Sequence, residues 1–126
     1  MAEYLYSRDH EWVLREDNLA TVGISNFAQA ELGEIAFVEL PEVNKVVKQG
    51  EAVCSIDSLK STSEIYAPVS GTVVRINGSL SDEKKCGIIN TDPLGRGWLF
   101  VLEMSNPVEL DGLLTHKEYE DYLESG

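Results

Sequence analysis

The residue best placed for chemistry is Lys60, in the tetrad Ser58-Leu59-Lys60-Ser61 between two runs of strand-forming residues. An ε-amine used as a base or Schiff-base nucleophile needs burial or a neighbouring cation to lower its pKa. No His, Lys or Arg adjoins Lys60; its neighbours are Ser, Leu and Thr, with Asp57 three residues back. The pattern therefore points away from catalysis and toward modification, in which a ligase acylates an unobstructed amine held on a rigid turn. Without further context the ordinary reading, a solvated turn lysine, stands beside it. His10 and His116 have no ligand-spaced partner, and Cys54 and Cys86 have none at metal-ligand spacing. No catalytic residue and no metal site is assigned, and the cysteines read as reduced thiols of a cytosol or organelle matrix.

The elements that must hold Lys60 are legible around it. Gly50 stands ten residues before it and Gly71, after Ala67-Pro-Val-Ser70, eleven after it. Between these turns Ala52 to Asp57 runs out and Ser63 to Tyr66 runs back, so the tetrad falls at the tip of a hairpin over residues 50–71. Ala20 to Ile24, Ile35 to Leu40, Gly71 to Ile76 and Trp98 to Met104 also read as strands, rich in β-branched and aromatic residues. Their spacing predicts a barrel or sandwich, with Trp12, Phe37, Trp98 and Phe100 in its core. Gly50, Gly71 and Gly97 read as turn or close-approach positions.

One short helix is expected over Asn26–Leu32, capped by Ser25 and stopped by Gly33. A second is expected over about 115–124, because Thr115-x-x-Glu118 is a capping box followed by a stripe of Tyr119, Tyr122 and Leu123. Ser79 to Gly87 is ambiguous between a helical turn and a loop.

The chain has 126 residues and a mass of 14.0 kDa, which suits one mainly β domain over residues 1–126. Its net charge of −12, from 22 acidic against 10 basic residues, opposes binding to a phosphate backbone or an anionic membrane. That charge suits steering onto basic patches of larger proteins. No window approaches a membrane span, and Met1-Ala2-Glu3-Tyr4 shows no basic and apolar leader. A monomer is expected.

Several segments in one order resemble the H proteins of the glycine cleavage system. These are Asp9-His-Glu-Trp-Val13, Ala20-Thr-Val-Gly-Ile24, Ala28-Gln29, Leu32-Gly33-Glu34, Phe37-Val-Glu-Leu-Pro41, Asp57-Ser-Leu-Lys-Ser61, Ile65-Tyr-Ala-Pro68 with Val69-Ser-Gly71, Ile89-Asn-Thr-Asp-Pro93 and Gly97-Trp98. The lysine segment of that family usually reads Glu-Ser-Val-Lys-Ala, so Asp57 keeps the acid but shortens it. Some relatives carry histidine where Glu31 stands.

The resemblance implies a lipoyl-domain-like fold, a flattened barrel-sandwich hybrid, with lipoate joined by an amide to Lys60. A lipoate ligase or lipoyl transferase that must pick out this amine is expected to read the hairpin shape together with Asp57 and Ser58. The resemblance also implies that Glu11 and Glu31 border a cleft for the loaded arm. The implied function is a non-enzymatic shuttle that takes an aminomethyl group from the pyridoxal-phosphate glycine decarboxylase to the tetrahydrofolate-dependent aminomethyltransferase. Dihydrolipoyl dehydrogenase would reoxidise it. The location would be a bacterial cytoplasm or, in a eukaryote, the mitochondrial matrix. Alternatives are a lipoate relay serving other enzymes, another lipoyl or biotin carrier, and an unmodified β-sandwich binding module. Biotin carriers favour Met on both sides of the lysine, where this chain has Leu59 and Ser61.

Overall fold

The architecture is that of a computed structural model and describes residues 3–125. The reading of Met1 and Ala2 as a start without a leader, and the last residue of the expected domain, lie outside the described residues. Nine strands form two sheets, with no closed barrel among the described residues.

The first sheet contains β1 (Tyr4–Tyr6), β2 (Glu11–Glu16), β3 (Leu19–Ile24), β5 (Val46–Val47), β8 (Gly71–Ile76) and β9 (Phe100–Met104), in the order β1-β2-β3-β9-β8-β5. Every neighbouring pair is antiparallel. The second sheet orders β4 (Ile35–Glu39), β6 (Ala52–Ser58) and β7 (Thr62–Tyr66) as β4-β6-β7. Alternation along the strands turns Val22, Val73 and Leu102 of one sheet toward Val38, Ile56 and Ile65 of the other, and this shared layer is the core. At Gly71 β8 runs tight against β9: a Cβ there would lie 2.3 Å from the Glu103 carbonyl oxygen, so no side chain fits.

Both expected helices form where their caps predict. In α1 (Asn26–Leu32) the Ser25 hydroxyl accepts from the Ala28 N–H at 3.1 Å, and Gly33 leaves the helix at φ 79°. At the other end Thr115 and Glu118 exchange the two reciprocal bonds of a capping box ahead of α3 (His116–Ser125). Ser79 to Gly87 resolves into two single 3₁₀ turns, Gly78–Ser81 and Glu83–Lys85, followed by α2 (Ile88–Thr91), which the sequence did not announce.

Two core expectations are corrected. Phe37 is 40% exposed, because a bulge between Ile35 and Phe37 breaks the alternation and turns Ile35 and Val38 inward instead. Trp98 is only half-buried, with the Arg75 guanidinium 5.4 Å above its ring.

A smaller cluster fastens α3 to the first sheet. The Tyr119 ring stacks on Tyr6 at 4.4 Å, and its hydroxyl bonds both Ser25 and His10 Nδ1 at 2.7 Å. Tyr119→Phe removes both bonds and leaves the buried Ser25 hydroxyl one partner short. It should destabilise the protein by about 1–3 kcal/mol, read as a lower urea midpoint at unchanged slope.

Candidate functional site: a lysine on a pinned hairpin tip

Strands β6 and β7 pair with Asp57 opposite Thr62, so four residues, Ser58 to Ser61, make the connection. Ser58 organises them. Its N–H donates to the Ser61 carbonyl at 2.8 Å, and its hydroxyl oxygen accepts from the Ser61 N–H at 3.1 Å and the Lys60 N–H at 3.3 Å. Just below, the Thr62 hydroxyl donates to Asp57 Oδ1 at 2.8 Å and closes the neck. The outcome is a fixed turn with Leu59 and Lys60 exposed at its apex.

Beneath the tip lies a shelf made by Gly33 and Glu34. The Leu59 N–H donates to the Glu34 carbonyl at 3.0 Å, and the Lys60 stem crosses Gly33, with Cε 3.4 Å from where a Cβ would stand. An open cleft of about 730 Å³ adjoins the shelf, lined by Gln29, Gly33, Glu34, Glu83, Lys84 and Asn90.

Neither acid assigned to the arm lines this cleft. Glu31 is exposed on α1, near enough to His10 to favour its charged form. Glu11 is 1% exposed, so the structure corrects the expectation that it borders an open cleft. Its carboxyl sits at the joint between the sheets. One oxygen accepts from the Ser7 hydroxyl at 2.6 Å and the other from the Tyr66 N–H at the end of β7, at 3.0 Å. Burial pushes its pKa from 4.5 up to about 7, against the opposing effect of those two bonds.

His10, for which the sequence suggested no role, occupies a positive-φ turn (70°), bonds Tyr119 and lies 4.7 Å from the Phe27 ring. Burial lowers its pKa, opposed by Asp9 and Glu31. No local signal could have paired it with a tyrosine 109 positions away. Among the described residues no group of three or more His, Cys, Asp or Glu could hold a metal ion, and no helix is long and apolar enough to cross a membrane.

A two-sheet β frame that holds one lysine on a pinned, outward-facing tip is the arrangement the resemblance implies, that of a lipoyl-domain-like carrier. The comparisons narrow the class. A family model described as glycine cleavage H-protein matches residues 4–126. The glycine cleavage system H protein of Thermotoga maritima is 48% identical over 117 residues, which cover 93% of each chain. That of Xanthobacter autotrophicus is 46% identical over 125 residues, covering 99% of this chain and 98% of its own. The crystal structure of a glycine cleavage system H protein from Mycobacterium marinum superposes with a TM-score of 0.87 at 34% identity, over 97% of both chains. The chain belongs to the glycine cleavage H-protein family.

Proposed function

We propose that Lys60 carries lipoate in amide linkage and that the protein is the shuttle of the glycine cleavage system. The observation that carries this reading is the exposed amine of Lys60 on a turn pinned by Ser58 and by Glu34. The site suits the group: the lysine is in no ion pair among the described residues, and its stem rests on a glycine instead of a side chain. When bound, lipoate supplies the disulfide that takes up the aminomethyl group and the reducing equivalents. The chain's own residues present and orient it. Ser58 fixes the turn, the Asp57–Thr62 bond closes the neck, and the shelf keeps the stem from collapsing onto the sheet. Tethering holds the carried group at about millimolar local concentration near each partner site.

The partners in this reading are glycine decarboxylase, aminomethyltransferase, dihydrolipoyl dehydrogenase and the lipoate ligase or lipoyl transferase. A net charge of −12 steers the carrier onto basic docking patches and makes association fall with salt. Glu31, exposed on α1, is the acid available to a cationic loaded arm; Glu11 supports the site from within by holding the end of β7.

Intact mass and peptide mapping of the protein purified from its own host test the reading. One lipoyl group on Lys60 is expected, and an unmodified protein, or a group on another lysine, would overturn it.

The acid of the lysine segment has its own test. Asp57→Asn keeps an oxygen for the Thr62 hydroxyl and removes only the charge. If the ligase reads that charge, modification should slow several-fold with the thermal midpoint unchanged. An unaltered rate assigns Asp57 to the neck alone.

A further inference from the structure

We propose that Asn90 is a positioning residue for the carrier lysine: through the Gly33–Glu34 shelf it sets the height and direction at which Lys60 meets the modifying enzyme. The inference rests on Lys60 being the lipoylated residue. Asn90 lies in α2, far from the hairpin in sequence, and its carboxamide is fully engaged. Nδ2 donates to the Gly33 carbonyl at 2.8 Å and to Gln29 Oε1 at 3.0 Å, while Oδ1 accepts from the Ile35 N–H at 3.0 Å. One side chain thus ties the end of α1 to the start of β4.

The residue between those two contacts is Glu34, and its carbonyl accepts the Leu59 N–H. The Glu34 carbonyl and the Ile35 N–H belong to one planar peptide unit. Asn90 grips one end of that plane and the hairpin tip hangs from the other, as a single chain from Asn90 Oδ1 through the peptide to Leu59, the residue before the lysine. Linked bonds of this kind polarise and strengthen one another. Local preference does not hold the shelf, because Gly33 has φ 79° and ψ −154°, a region where L side chains are strained and glycine is free to move. The orientation of the plane is therefore set by Asn90. Ser58 determines the shape of the turn, and Asn90 determines where that turn stands relative to the body of the protein.

The experiment is lipoylation of the purified unmodified protein by a lipoate ligase, with rate and site read by intact mass and peptide mapping. In Asn90→Ala the kcat for modification should fall about tenfold, with KM for the protein changed less than about twofold, since a displaced amine loses reactive geometry more than encounter. Gln29→Ala removes one of the same bonds but leaves the peptide plane gripped, and should be modified like the unmutated protein. Asn90→Asp keeps the volume and the acceptor for Ile35 but sets a carboxylate oxygen against the Gly33 carbonyl, so it should displace the shelf and lower kcat at least as far, and it decides the matter if Asn90→Ala does not fold.

Hydrogen exchange on the unmutated protein adds a reading that needs no variant: the Leu59 and Ile35 amides should be protected together. A Leu59 amide that exchanges like unstructured chain, or a folded Asn90 variant with unaltered kcat, overturns the inference. No lipoate on Lys60 of the unmutated protein would instead overturn the reading on which it rests.

Discussion

Lys60→Arg should abolish lipoylation completely while leaving the fold, the net charge and the thermal midpoint as they are. A guanidinium is always protonated and offers donors only, so it cannot serve as the acylated nitrogen. The side chain it replaces is exposed and in no ion pair among the described residues, so the substitution leaves packing intact. Five other lysines compete for a ligase: Lys45, Lys48, Lys84, Lys85 and Lys117. None stands at the apex of the β6–β7 hairpin. Lys84 and Lys85 sit in a 3₁₀ turn and Lys117 in the first turn of α3. Incubation with ligase and lipoate, followed by intact mass, should show no addition, and modification of any of the five would mean that the hairpin tip is not what the ligase reads.

Glu11→Gln should flatten the pH dependence of stability between about pH 4.5 and 7. With its pKa raised from 4.5 to about 7, the Glu11 carboxyl binds its proton more tightly in the folded chain than in the unfolded one. Its contribution is therefore fully present below about pH 4.5 and is lost as pH rises through about 7. That difference is on the order of 3 kcal/mol at 1.36 kcal/mol per unit. Glutamine is neutral throughout; its carbonyl accepts from the Tyr66 N–H, and its amide, like the O–H of the protonated carboxyl, meets a Ser7 oxygen that already accepts the Asp9 and Glu11 N–H groups. The variant and the parent should match near pH 4.5, and the variant should be more stable by about 1–3 kcal/mol at pH 8. Urea unfolding at both pH values measures this, and a constant offset between the two proteins would rule out Glu11 as the titrating group.

The hairpin was legible because its signals are local: alternation on both arms, glycine at both feet, and a serine where a four-residue turn needs a side-chain acceptor. Both capped helices were legible for the same reason, since Ser25 and the Thr115/Glu118 pair bond within three residues. What escaped is too short to show a pattern, locally irregular, or dependent on distance along the chain. Strands β1 and β5 are too short to show a period. The burial of Glu11 follows from a backbone N–H 55 residues away, which no pattern around Asp9-His-Glu-Trp announces. The bulge in β4 reversed the expected facing of Phe37 without a glycine to mark it. Asn90 appeared only as part of a resemblance; that its amide reaches three groups under the lysine is a fact of tertiary structure.

Strand β9 lies between β3 and β8 in the larger sheet, although it is the last strand to be made. A ribosome that has delivered the whole lysine hairpin has therefore not yet supplied the strand that joins the two halves of that sheet. The contacts Leu19↔Glu103 and Val22↔Phe100 close loops spanning most of the chain, and such closures slow folding. During synthesis β3 and β8 present unpaired edges that only residues 100–104 can satisfy, so the vulnerable interval for aggregation or proteolysis falls late in translation. A chain terminated before Phe100 should accumulate as a protease-sensitive fragment, however complete its carrier hairpin.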